Sequence, residues 1–213
     1  LHGVTLKNWM EQRPTIEPFS FLRKVLPLMK SLERLHQAGV IHRDIAPDNI
    51  MLMPDGSLVL LDFGCARSME DNKSMTVVLK PGFAPLEQYQ TRGQGPWTDI
   101  YALCATVYYC LTGAVPPAAP ERLGAVCEER PDPLLPPSAL APAVPPSLGE
   151  ILLWGHVPPQ IHGPSGGGSG SFAGRHGPER SALQRPALLE GAVGKGGAGD
   201  CLRASPSALS PAS

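Results

Sequence analysis

Three oxygen-bearing side chains, Asp44, Asn49 and Asp62, carry the chemistry that can be read from this chain. Asp44 and Asn49 lie in the run His42-Arg43-Asp44-Ile45-Ala46-Pro47-Asp48-Asn49, and Asp62 opens Asp62-Phe63-Gly64. Hard cations take oxygen ligands, and Mg²⁺ is commonly held by one or two protein groups together with substrate phosphates. Asn49 and Asp62 meet that demand. Asp44 is a further acidic oxygen, not needed by the metal and free to accept a proton. For any one of these residues the plain alternative is a hairpin with solvated polar ends.

A hairpin is what must bring them together. Ile50-Met51-Leu52-Met53 and Ser57-Leu58-Val59-Leu60-Leu61 are short apolar runs that read as strands. Pro54-Asp55-Gly56 between them is a turn: proline presets the first turn residue and glycine accepts the positive φ that closes it. Paired positions then sum to about 110 or 111, depending on the loop. Asn49 lands opposite Leu61 or Asp62, so an amide oxygen and a carboxylate share the open end, with Asp44 one short loop away.

The string His-Arg-Asp-x-x-x-x-Asn followed by Asp-Phe-Gly resembles the catalytic core of a protein kinase, of the bacterial serine/threonine type. The resemblance covers roughly residues 1 to 154 and corresponds to the large C-terminal lobe. The fold it implies is α+β, mainly helical, with a catalytic β-hairpin. It implies ATP and Mg²⁺ as cofactors, Asp44 as catalytic base, and Asn49 and Asp62 as Mg²⁺ ligands. Met51 would pack under the adenine ring, and His42 and Phe63 would stack in the column that aligns the site. Ala84-Pro85-Leu86-Glu87-Gln88-Tyr89 resembles the anchor that closes the activation segment, with Glu87 expected to pair inside the core with an arginine. Asp99 would tie its helix to the backbone of the catalytic loop. One departure matters: Ala46 stands two residues after Asp44, where the family's serine/threonine members usually carry lysine, so one cation is missing. The arginine that tyrosine kinases carry within four residues of this Asp is absent.

Composition sets wider bounds. The chain has 213 residues, 42% of them apolar, which suffices for a core. A net charge of −1 without a long basic run gives no pull toward nucleic acid or an anionic membrane surface. The five cysteines form no C-x-x-C pair and read as free thiols of a reducing, cytoplasmic compartment. No apolar run reaches the length of a bilayer span. The chain opens on Leu1 rather than Met, so a preceding segment is expected.

Before the site, residues 1 to 18 read as a short helix and a loop. Residues 19 to 38 read as a long amphipathic helix with Leu22, Val25, Leu26, Met29, Leu32, Leu35 and His36 on one face, stopped by Gly39. Pro27 inside that pattern costs up to about 3 kcal/mol. His36 is expected to be hydrogen-bonded against the fold rather than to a metal. Beyond Gly64 the chain turns polar, as a mobile activation segment would. Ser74 and Thr76 are its candidate phosphorylation sites, and Arg43 is the cation that would hold the phosphate. Residues 97 to 112 are apolar nearly all round and predict a buried helix, capped by Thr98 or Asp99 and ended by Gly113.

After residue 114 proline pairs recur at 116, 136, 145 and 158, and one more apolar element appears, Leu148 to Trp154. The last 59 residues hold 13 glycines, and Phe172 is their one aromatic. Residues 155–213 are therefore expected to be a disordered tail, or one read in a shifted frame. Gly168-Ser169-Gly170 and Gly194-Lys195 imitate phosphate loops in the wrong setting. Glu87 would then lack its arginine, for which Arg185 is a poor substitute. A glycine loop, a strand lysine and its glutamate, which together make the small N-terminal lobe, are also absent. The chain thus reads as 1–154, a partial kinase domain feeble without that lobe in cis, and its partners as ATP and a protein substrate bearing Ser or Thr. The alternatives are a non-catalytic kinase-like binding module and an aminoglycoside-type small-molecule phosphotransferase.

Overall fold

In the computed structural model the described residues are 2–12, 16–62, 65–68, 79–90 and 93–155. Phe63, Ser74, Thr76, Arg185 and the tail after Gly155 lie outside them. The first elements are a two-residue strand β1 (Val4–Thr5) and helix α1 (Leu6–Glu11). Helix α2 spans Pro18–Gln37. It begins one residue earlier than the pattern predicts because Pro18 is suited to a first helical turn, where no N–H bond is lost. The Glu17 side chain caps it, accepting from the N–H groups of Phe19 at 3.0 Å and Ser20 at 2.6 Å. Gly39, at φ 73°, turns the chain away at the far end.

The buried face of α2 is Phe21, Leu22, Val25, Leu28, Met29 and Leu32, with Leu26 and Leu35 packed at its margin. Pro27 lies on the opposite, exposed face together with Arg23 and Lys30. The carbonyl deprived of its i+4 donor therefore faces solvent, where water can satisfy it, and the helix continues.

Strands β2 (Val40–Ile41), β3 (Ile50–Leu52) and β4 (Leu58–Leu60) follow. β3 and β4 pair antiparallel as Ile50↔Leu60, Met51↔Val59 and Leu52↔Leu58, a register summing to 110. The turn is closed by Gly56 N–H on Met53 O at 2.8 Å, with Gly56 at φ 81°. β1 adds to the other edge of β3, giving a three-stranded sheet β1-β3-β4 that the hairpin reading did not include. Strand β5 (Arg67–Ser68) pairs with β2.

Helix α3 (Leu86–Tyr89) leads to α4 (Pro96–Thr112), which is buried along almost its whole length. Thr98 is not its N-cap. Gly95 holds that position, and its N–H donates to Thr98 Oγ1 at 3.2 Å from inside the first turn. Gly113, at φ 73°, ends the helix. Among the described residues α5 (Ala119–Cys127), α6 (Pro137–Leu140) and α7 (Pro146–Gly155) follow. α7 contains the apolar stretch read from the sequence; it packs against α4, and its Leu148 and Leu152 are fully buried in the core. α5 and α6 are not legible as helices from the proline-rich sequence. The prolines that suggest a broken chain stand at helix starts, Pro120 in α5, Pro137 in α6 and Pro146 in α7. Among the described residues no helix is long and apolar enough to cross a membrane.

Candidate active site

The loop from His42 to Asn49 joins β2 to β3, so both of its ends are fixed by sheets. Its first turn is strained. Arg43 has φ 71°, a left-handed conformation that costs a non-glycine residue roughly 1–3 kcal/mol. Two residues from other elements hold it. The Asp99 carboxylate, from the first turn of α4, accepts from His42 N at 2.9 Å and Arg43 N at 2.8 Å. Its Oδ2 also meets His36 Nε2 at 2.7 Å, which gives His36 a hydrogen-bonding place between α2 and α4. From α3, Gln88 Nε2 donates to Arg43 O at 2.7 Å. Asp99 is fully buried, so these donors replace the water it has lost.

His42 is fully buried beneath this turn. Burial pushes its imidazole below the usual range, against the pull of Asp99 and of a backbone hydrogen bond at Leu61. Asp44 N–H reaches His42 Nδ1 at 3.4 Å. His42 thus touches the loop before Asp44 and the strand end before Asp62.

Asn49 faces back onto Asp44. Its Nδ2 donates to Asp44 O at 2.9 Å and to Asp44 Oδ2 at 2.6 Å. That spends the donor end of the amide and leaves the oxygen as the end able to meet a cation. Leu61 N–H donates to Asn49 O at 2.8 Å, so Asn49 stands opposite Leu61 and Asp62 follows directly. Asp62 adopts φ 54°, the second non-glycine residue of the site in left-handed conformation. Among the described residues no three His, Cys, Asp or Glu side chains converge to hold a metal ion. One amide oxygen with one carboxylate instead fits an open Mg²⁺ site completed by substrate phosphates.

The remaining sequence candidates are scattered around this centre. Met51 sits half-buried on β3 between Thr5 and Val59. Arg43 Nε donates to Gln94 Oε1 at 2.5 Å. Glu87 is buried in α3 and accepts from the Thr98 hydroxyl at 2.9 Å, so a threonine serves one of its oxygens. Phe63, Ser74 and Thr76 lie outside the described residues.

Two site residues escaped the sequence reading. Gln88 was quoted only as part of a motif, although an amide in a helix of four residues can reach a neighbouring backbone. Lys80 Nζ lies 2.8 Å from Asp44 Oδ1 and 2.9 Å from Asp48 Oδ1. Burial by itself would lower this ammonium, but Asp44 and Asp48 outweigh burial and hold it above the usual lysine range. The available signal was a single charge in the apolar run Val77-Val78-Leu79-Lys80-Pro81-Gly82-Phe83. Beside Lys80 opens a groove of about 280 Å³ whose walls include Pro47, Pro81, Phe83, Tyr109 and Val115.

The chain belongs to the protein kinase domain family, whose sequence profile it matches over residues 1–130, and its described residues take up the protein kinase fold. It is similar to the serine/threonine-protein kinase PknL of Mycobacterium tuberculosis, 30% identical over 156 residues, covering 71% of this chain and 39% of PknL. It is also similar to serine/threonine-protein kinase F of Synechocystis, 35% identical over 118 residues, covering 53% of this chain and 24% of that kinase. The solved structure of PpkA-294 in its apo form superposes with a TM-score of 0.58 at 36% identity, covering 73% of this chain and 54% of that one. The chain therefore spans well under half the length of these curated relatives.

Proposed function

We propose that this chain is the C-terminal lobe of a serine/threonine protein kinase, and that it transfers the γ-phosphate of ATP to a protein hydroxyl when joined to an N-terminal lobe. The observation that carries this reading is the Asp44–Asn49–Asp62 arrangement, built on a hairpin and clamped by Asp99. The PknL and kinase F relatives are both named serine/threonine-protein kinases, which favours a protein substrate over an aminoglycoside-type one.

In this reading Asp44 accepts the proton of the substrate Ser or Thr hydroxyl. The hydroxyl oxygen bonds to the γ-phosphorus, the bond to the β-phosphate oxygen breaks, and ADP leaves. Asn49 and Asp62 would hold Mg²⁺, which supplies charge neutralisation to the phosphates. Asn49 has a second duty, since its Nδ2 fixes the Asp44 carboxylate. Met51 forms part of the nucleotide floor, and Arg43 receives a phosphate placed on Ser74 or Thr76. Positioning and charge stabilisation dominate phosphoryl transfer, so a lobe without the glycine loop and its lysine has feeble activity alone.

The test separates the roles in the complete protein that carries this segment. Asp62→Asn abolishes Mg-ATP binding measured by calorimetry. Asp44→Asn keeps nucleotide binding within a few-fold and lowers kcat by about 10²–10⁴. An Asp44→Asn enzyme with full kcat would remove the base from the reading.

A further inference from the structure

The loop that carries Asp44 brings negative charge to a place where more is due to arrive. Asp44 and Asp48 are four residues apart on it, and the buried Ala46 between them carries no charge. A phosphoryl group in transfer spreads negative charge over its oxygens, and fixed cations in a water-poor site stabilise it. The cation in contact with Asp44 comes from outside the loop. Lys80 Nζ bridges Asp44 Oδ1 and Asp48 Oδ1 at 2.8 and 2.9 Å. Its backbone is held in a tight turn, with Lys80 O accepting from Phe83 N at 3.0 Å and Ala84 N at 2.9 Å. That turn runs straight into α3, whose Gln88 clamps Arg43.

An ammonium has three donors, and two are spent on these carboxylates. Lys80 lines both the small recess at Asp44 and the adjoining groove walled by Pro81, Phe83 and Val115. Leu79, Lys80 and Phe83 are common to both, so a hydroxyl reaching Asp44 from that groove passes beside the Lys80 ammonium.

Resting on the kinase reading above, we propose that Lys80 is the cation of the transfer step: it holds the Asp44 carboxylate in place and donates its remaining N–H to the phosphoryl oxygen in flight. The charge belongs to the segment after the activation loop, not to the loop that bears the base. Transfer therefore requires residues 79–90 to be docked on Asp44, and displacement of this segment removes the cation and frees Asp48 together.

The experiment uses the complete protein and measures kcat and KM for ATP and for a Ser/Thr substrate. Lys80→Gln keeps a hydrogen-bonding side chain without charge, Lys80→Arg keeps the charge, and Asp44→Asn runs in parallel. Lys80→Gln is expected to lower kcat by about 10²-fold with KM for ATP changed less than about threefold. Lys80→Arg is expected to recover at least tenfold of that loss. Unchanged kcat in Lys80→Gln, beside an inactive Asp44→Asn, overturns the role of Lys80 and leaves the kinase reading standing. Equal loss in the Gln and Arg variants, with a lowered melting temperature in both, also overturns it by reducing Lys80 to a structural ion pair. Full activity of Asp44→Asn instead overturns the kinase reading itself.

Discussion

Asp99 shows how much one buried side chain decides at this site. It takes two backbone N–H groups of a strained turn and the ring of His36. Replacing it with alanine leaves those donors buried and unserved, which costs about 3–5 kcal/mol. Asp99→Ala is therefore expected to lower the denaturation midpoint sharply and to reduce kcat, because Arg43 then relaxes from φ 71° and carries Asp44 with it. The contact of Asp99 with the loop backbone was expected only from the resemblance to kinases, and the contacts of Lys80 and Gln88 were not expected at all. Both reach across the fold to a loop some 35 to 45 residues away, and no local periodicity encodes such a contact.

His42 supplies a pH prediction at the same scale. Burial holds its pKa below the ordinary 6.5. The unfolded chain therefore takes up a proton first as pH falls, and the folded form resists it. The stability is full above about pH 6.5 and is lost as pH drops from there toward the depressed folded value. Unfolding midpoints measured between pH 8 and 5 are expected to fall for the native protein and to fall less for His42→Phe. Parallel slopes for the two proteins contradict the assignment.

Among the elements, the hairpin was the most legible because its side-chain period is two and its turn residues specify one closure. The observed register of 110 places Asn49 opposite Leu61, one of the two pairings that the turn allowed. The long helix α2 was legible for the same reason at period 3.6. The proline-rich stretch was not, since proline breaks a helix interior yet suits its first turn, and sequence alone does not say which position it holds. Pro27 is the exception inside a helix, tolerated because it faces solvent. Pro27→Ala restores a backbone bond to Arg23 and is expected to stabilise the protein by about 1–3 kcal/mol, read from the urea midpoint. No gain would mean that α2 is already distorted at that turn.

For the whole molecule, the sequence profile covering residues 1–130 and the superposition on PpkA-294 agree on the protein kinase family. The α4 core, with α2 and α7 packed against it, is the platform on which the loop and hairpin sit. Under the proposed function the chain contributes Asp44 as base, Asn49 and Asp62 as oxygen ligands and, through Lys80, a cation.

The most direct test of this account is transfer of labelled γ-phosphate from ATP to Ser/Thr substrate by the complete protein, compared between the native sequence and Asp44→Asn. Robust transfer is expected from the native sequence, falling by about 10²–10⁴ in the variant while ATP still binds. Equal transfer by both proteins, or none by a native protein that binds Mg-ATP, contradicts it.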